Sequence, residues 1–251
     1  MKKLYTSTLL LIATCLYYNS YAQTQGPMNP SSATNTSCPF YYSSTVDYLP
    51  ANNISASDNV YATASHCDCC DQNTRCLEAT NFGFSIPVTA TIDGIKVEVE
   101  KKASTNSTVQ DNGVRIIKGG VTTGTDQMTS ANWQYIDTYS TYGGATNLWG
   151  CPWTPADINA NNFGVAFASI SYTCFGNNQP VISSIDNIRI TIYYTSITGV
   201  LMSTSNGELG VAVFPNPTNG EFSVCANVEG QISILNVLGE NVYSSPMMNG
   251  A

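Results

Sequence analysis

Two long runs of two-residue alternation constrain this chain more than any other feature. In Asp93-Gly94-Ile95-Lys96-Val97-Glu98-Val99-Glu100-Lys101-Lys102, Ile95, Val97 and Val99 fall on one face and Lys96, Glu98 and Glu100 on the other. Ile185-Asp186-Asn187-Ile188-Arg189-Ile190-Thr191-Ile192-Tyr193-Tyr194-Thr195 repeats the pattern with Ile188, Ile190, Ile192 and Tyr194 inward. A third run, Phe163 to Ile170, carries small residues on its outer side, which implies that both of its faces are covered. Shorter candidates are Val60 to Ala64, Leu77 to Ile86, Gly113 to Lys118 and Trp133 to Thr138. No window holds a 3.6-residue apolar stripe, so the spacing predicts an all-β, two-sheet sandwich with one core between its inner faces. One local exception is Thr154-Pro155-Ala156-Asp157, where an N-cap hydroxyl, a Pro at the first helical position and a carboxylate at the third predict a single helical turn.

Charge narrows the function classes. Charged residues make up 10 % of the chain and the net charge is −8, against about 25 % charged residues in ordinary soluble domains. An acidic chain this poor in Lys and Arg has no electrostatic footprint for nucleic acid or an anionic membrane.

The N-terminus reads as an export signal. Lys2 and Lys3 precede a short apolar run from Leu9 to Ile12 with Ala13, Cys15 and Leu16, and Ser20-Tyr21-Ala22 offers small residues where signal peptidase reads. Residues 1–22 are expected to be a signal peptide cleaved before Gln23. Its apolar run is too short to span a bilayer, and no membrane span is expected once it is removed.

The C-terminal stretch carries a more specific signature. Val213-Phe214-Pro215-Asn216-Pro217-Thr218-Asn219-Gly220-Glu221-Phe222-Ser223-Val224 places two prolines, which no central strand accepts, ahead of an Asn-Gly turn. Ile232-Ser233-Ile234-Leu235-Asn236-Val237-Leu238-Gly239-Glu240 then resumes the alternation. These residues resemble the type A C-terminal sorting domain of the Bacteroidota type IX secretion system. The resemblance implies a small Ig-like β-sandwich with Pro215, Asn216, Pro217, Gly220, Leu238 and Gly239 as its sorting signal. It also implies the type IX machinery as partner and a secreted or outer-cell-surface location. The family's domain continues into further strands and a basic tail, whereas the sequence ends at Asn249-Gly250-Ala251, so a partial domain is expected.

A second resemblance concerns the body of the chain. Leu77 to Pro87, Ile92-Asp93-Gly94-Ile95, Tyr142-Gly143-Gly144 with Leu148-Trp149-Gly150, Asn162 to Val165 and Ile190 to Tyr194 together resemble a jelly-roll-like module of uncharacterised bacterial surface and phage-related proteins. It implies a fold and brings no activity. The expected organisation is thus a signal peptide at 1–22, a linker with a first strand region at 23–56, a β-sandwich at 57–195, a linker at 196–210 and a partial sorting domain at 211–251.

Export through an oxidising compartment favours disulfides for the cysteines beyond Cys15. Cys67, Cys69, Cys70 and Cys76 cluster beside His66, a spacing too compressed for the two separated pairs of a structural zinc site. The expected bridges are Cys67 with Cys76 and Cys151 with Cys174, and no metal or cofactor is expected.

Catalytic sets are thin. His66 is the single histidine, with no Gly-x-Ser-x-Gly elbow near it. Glu98 and Glu100 share a strand face at roughly 7 Å, within the range of glycosidase carboxylate pairs. Alternation with Lys96 and the following Lys101-Lys102 reads instead as a solvated face. Asp58, Asp111 and Asp186, at expected strand edges, are candidate oxygen donors for calcium. Tyr142, Trp149 and Trp153 lie in a loop-rich aromatic region and are candidate platforms for stacking on sugar rings or a protein partner, although a sandwich core buries Trp readily and Trp133 and Trp149 are expected to be packing residues. The reading that follows is a non-enzymatic, surface-displayed β-sandwich that binds glycans or adheres to a surface protein. A secreted polysaccharide or peptide hydrolase and a structural surface or matrix protein are the alternatives.

Overall fold

Parity along the strands organises the molecule. A computed structural model describes residues 20–39, 46–67, 71–104, 109–172, 180–197, 202–203, 210–214, 223–226, 230–235 and 240–247. The strands of the larger unit, in chain order, are β1 (Ser20–Met28), β2 (Ser32–Thr36), β3 (Ala62–His66), β4 (Gln72–Asn73), β5 (Cys76–Thr80) and β6 (Thr91–Ala103). They continue with β7 (Val109–Lys118), β8 (Val121–Thr123), β9 (Thr138–Gly143), β10 (Gly164–Ser171) and β11 (Val181–Ile197). One sheet runs β1-β11-β6-β9, with β3 also on β11; the second runs β2-β5-β10-β7-β8, with β4 on β10. The two sheets enclose one apolar core, in which Ile95, Val97 and Val99 of β6 meet Val114 and Ile116 of β7, Val165 and Phe167 of β10, and Ile188, Ile190 and Ile192 of β11. The all-β sandwich expected from the alternation is the fold observed.

The long alternating runs became the long central strands, β6 and β11, paired antiparallel from Thr91↔Thr195 to Ala103↔Ser183. Every residue of β10 is buried. Its outward Ala166 and Ala168 pack with Cys38, Cys76 and Ile117 in a second, smaller cluster, which is the cover that its small residues implied. The helical turn α1 (Pro155–Asn159) forms with both halves of its capping box: Thr154 accepts from the Asp157 N–H, and the Asp157 side chain accepts from the Thr154 N–H.

Several boundaries differ from the sequence reading. The compact unit spans Ala22–Ser196. Residues 23–56, read as a linker with a first strand region, therefore supply most of β1, all of β2 and a 3-10 turn at Ala51–Ile54 to the sandwich itself. β1 and β2 are rich in Ser, Thr, Asn and Gln and lack an apolar face for periodicity to detect. Leu77 to Ile86 yields only the short β5, because Asn81 and Gly83 take positive φ and turn the chain. The strand expected at Trp133 to Thr138 lies later, as β9.

The smaller unit holds a three-stranded antiparallel sheet of β12 (Met202–Ser203), β13 (Gly210–Phe214) and β14 (Ser223–Ala226), and a two-stranded pair of β15 (Gly230–Leu235) and β16 (Asn241–Met247). Pro215, Asn216, Pro217, Gly220, Leu238 and Gly239 lie outside the described residues, as do residues 1–19 of the expected signal peptide.

Candidate functional site: an acidic cluster on the outer face of a sheet

The candidate aromatic platform is not assembled: Trp133 and Trp149 pack in the core, as expected of them as packing residues, and Tyr142, a platform candidate, is buried as well. Trp149 is 0 % exposed; its indole donates to the Ile95 carbonyl at 2.9 Å. It reaches that position from a left-handed backbone, φ 57°, which is unfavourable for a bulky residue and offset here by full burial of the ring. Gly143 makes room, since a Cβ there would collide with the Ile95 carbonyl and the Trp149 indole. Tyr142 is buried beside Phe167. Trp153 is half-buried, edge-on to Phe163 at 5.5 Å with its N–H on the Leu148 carbonyl, and Lys118 Nζ stands 5.2 Å from its ring. The loop-rich sequence around these rings hid their partners, which are the Ile95 carbonyl of β6 for Trp149 and the Phe163 ring for Trp153.

The cysteine pairing also differs. Cys76 bonds to Cys38, not to Cys67. Cys67 is itself disulfide-bonded, and Cys151 is a free thiol and not half of a bridge; Cys174, its expected partner, lies outside the described residues. β2 and β5 pair with Thr36 opposite Cys76, which brings Cys38 to Cys76 across a strand end and leaves Cys151 in a loop beside Thr123.

The candidate catalytic groups are held in structural roles. His66 is buried, with Nδ1 on the Gln72 carbonyl at 3.0 Å and Nε2 on Ser183 Oγ at 2.9 Å. Burial pushes its pKa below the usual imidazole value, against the opposing effect of the hydrogen bond to the Gln72 carbonyl. This Ser–His contact, invisible in sequence because Ser183 lies far along the chain, is sealed from solvent. Burial opposes ionisation of Glu98, but the paired contacts of the Arg189 guanidinium, both at 3.2 Å, and Lys96 at 3.1 Å hold its carboxyl below the usual range. It is an ion-pair partner, not half of a carboxylate pair with Glu100.

The three calcium candidates separate. Asp58 caps the Val60 N–H at an exposed turn. Asp111 is inside the core: its Oδ1 contacts Lys101 Nζ and accepts from Trp133 Nε1 at 2.9 Å, while Oδ2 accepts from Thr129 N, Thr129 Oγ1 and Tyr142 Oη at 3.2, 3.0 and 2.8 Å. Lys101 is buried as well, on the same face as Val97 and Val99, so the reading of Lys101-Lys102 as a solvated pair fails for Lys101. Parity governed its direction, and charge did not.

Asp186 finds different company. The β6–β11 register slips between Ile185 and Asn187, so Asp186 is the extra residue of a bulge, a device that re-aims side chains. It lies with Glu100 of β6 and Asp137, just before β9, and one carboxylate oxygen from each falls within 4.8 Å of the others. Asp186 is 1 % exposed; its Oδ2 accepts from the Asn59 N–H at 3.1 Å. Asp186 Oδ1, Glu100 Oε2 and Asp137 Oδ1 are buried atoms without a hydrogen-bond partner. Burial, with the Glu100 and Asp137 charges adding to it against the Asn59 hydrogen bond, pushes the Asp186 carboxyl above the usual range. Orphaned, mutually repelling carboxylate oxygens carry a substantial desolvation cost, which a bound cation cancels. The spacing fits as well: oxygens at 2.3–2.6 Å from a calcium ion lie at most about 5 Å apart across it.

Two tyrosines border the cluster. Tyr61 Oη donates to Asp137 Oδ2 at 2.8 Å under Lys102, 3.7 Å from its ring, and Tyr139 Oη donates to Asn187 Oδ1 at 3.2 Å under Arg189, 3.8 Å from its ring. Tyr135 and Ile136, directly before Asp137, are exposed. Glu100 and Asp137 were not singled out together because only the pairing of β6 with β9 brings them together.

No curated protein matches the chain. No described helix is long and apolar enough to cross a membrane. Residues 212–251 match the family described as the secretion system C-terminal sorting domain. That match marks the end of the chain as a type IX sorting domain, and with it a protein that engages the type IX secretion machinery and is exported to the cell surface or beyond.

Proposed function

We propose that the exported sandwich is a non-enzymatic adhesion module that binds extracellular glycan through a divalent cation of the calcium type held by Glu100, Asp137 and Asp186. The observation that carries this reading is the convergence of three carboxylates, each with a buried, unpartnered oxygen, on the outer face of a sheet. Calcium takes six to eight oxygens, so three carboxylates leave positions for water or for the vicinal hydroxyls of a sugar. The exposed Tyr135 and Ile136 beside Asp137 supply apolar surface at the rim. The hydrolase alternative is weaker because the groups it needs are engaged: Glu98 by Arg189 and Lys96, His66 by Gln72 and Ser183. The test is a glycan array probed with the folded protein in calcium and again in chelator. Retention that requires calcium and is lost in Asp186→Asn supports the reading. Glycan retention indifferent to both would detach adhesion from this cluster, and product release from a polysaccharide panel would favour the hydrolase.

A further inference from the structure

The buried Lys101–Asp111 pair is placed for a reaction between its own members. Lys101 projects from β6 in one sheet and Asp111 from β7 in the other, so their side chains meet between the sheets. Both side chains are almost wholly enclosed. Three aromatic rings surround the amine, with Nζ 4.6 Å from the Trp133 centroid and 5.2 Å from those of Tyr142 and Phe167. An ion pair in such a dry site returns less than its desolvation costs. A neutral amine is the better nucleophile, and burial moves Lys101 in that direction, below the usual ammonium range, with the Asp111 charge opposing.

We infer that Lys101 and Asp111 condense to an intramolecular amide that staples the two sheets across the core. Lys101 first passes one proton to the Asp111 carboxylate, giving a neutral amine and a carboxylic acid. The Nζ lone pair then attacks Cγ, a second proton travels from the nitrogen to Oδ2, the Cγ–Oδ2 bond breaks, and Oδ2 leaves as water with both protons. The ammonium and carboxylate together become one amide and one water molecule, with no change of oxidation state and no outside reagent. The surrounding groups match each part of the step. Trp133 Nε1 donates to Oδ1, the oxygen that remains as the amide carbonyl and bears charge in the tetrahedral intermediate. Thr129 donates twice to Oδ2, the departing oxygen. Tyr142 Oη touches both Lys101 Nζ and Asp111 Oδ2, so it takes a proton from the nitrogen as it passes its own to the leaving oxygen. The fold holds the reactants together, which replaces a bimolecular encounter by an intramolecular one. The product carries neither of the two buried charges.

The test is mass spectrometry of the folded, purified chain after thiol reduction and protease digestion. The expected result is a branched peptide joining the Lys101 and Asp111 segments, lighter than the two separate peptides by one water, with no tryptic cleavage after Lys101. Separate, unmodified Lys101 and Asp111 peptides from protein that unfolds cooperatively would overturn the inference. A water loss mapping elsewhere, such as to Asp93-Gly94, would overturn it too. Tyr142→Phe keeps the ring and removes the relay, and is expected to leave most of the folded protein unlinked. Full linkage at the wild-type rate in that variant would overturn the role given to Tyr142. Lys101→Met and Asp111→Ala serve as unlinked references for the digest.

Discussion

Glu100 and Lys101 are neighbours on one strand and end in opposite electrostatic situations. Lys101 faces the core and meets a single opposite charge with its hydrogen bonds satisfied; Glu100 faces outward and meets two like charges, with an oxygen left unpartnered. The inner cluster is complete within the chain, whereas the outer one keeps unpartnered carboxylate oxygens, which the proposed cation would satisfy. A charge satisfied within the fold and a charge proposed to bind a cation thus sit one residue apart.

The sharpest way to break the inner half is to remove one partner. Lys101→Ala removes the inferred amide and leaves Asp111 as a buried carboxylate without a countercharge, and a loss of about 3–5 kcal/mol is expected from the stranded charge in urea unfolding. Replacing both, as in Lys101→Met with Asp111→Leu, removes the stranded charge and is expected to recover much of that loss; a double variant as unstable as the single one would assign the loss to the missing amide and not to the charge. The Cys38–Cys76 bond closes a loop of 38 residues at the sheet edge. Its removal by Cys38→Ser is expected to cost about 4 kcal/mol by loop entropy, read from the shift in the unfolding midpoint.

The outer half is sharpened by the ligand. Calcium at a hundredfold excess over its Kd is expected to stabilise the protein by about 2.7 kcal/mol, seen as a rise in Tm. Asp186 has its carboxyl raised by burial and its neighbours, so without metal the native state holds a proton that the unfolded chain releases, and stability falls as pH rises through that range. Asp186→Asn is therefore expected to abolish the calcium-dependent rise in Tm while leaving the metal-free protein at least as stable as wild type near neutral pH.

The smallest effect expected is that of His66. Its folded pKa is depressed, so below about pH 6.5 the unfolded chain binds a proton that the native state excludes. Stability is then lost as pH falls, by up to about 1.4 kcal/mol per pH unit for one proton. His66→Gln is expected to flatten that part of the profile; an unchanged slope would assign it to the carboxylates.

What was legible in the sequence followed from periodicity. Ile95, Val97 and Val99 announced β6, and the same parity already sent Lys101 inward, yet its charge suggested solvent. Trp149 was legible as a packing residue, but its partners, Ile95 and Gly143, were not, because they belong to strands that only the fold brings near. Asp186 was legible as a possible oxygen donor, but its partners were not, because a bulge in β11 and the β6–β9 pairing set the cluster. Cys38 could not be matched to Cys76 without the β2–β5 register. The sorting segment was legible for a different reason: a short, proline-marked address is written in sequence and needs no tertiary partner to be read.

Calorimetric titration of the metal-free protein with calcium at neutral pH tests the central claim most directly. One ion per chain, lost in Asp186→Asn and Glu100→Gln and retained in Asp58→Asn, is the result expected. No binding at millimolar calcium, or binding indifferent to Asp186 and Glu100, would contradict it.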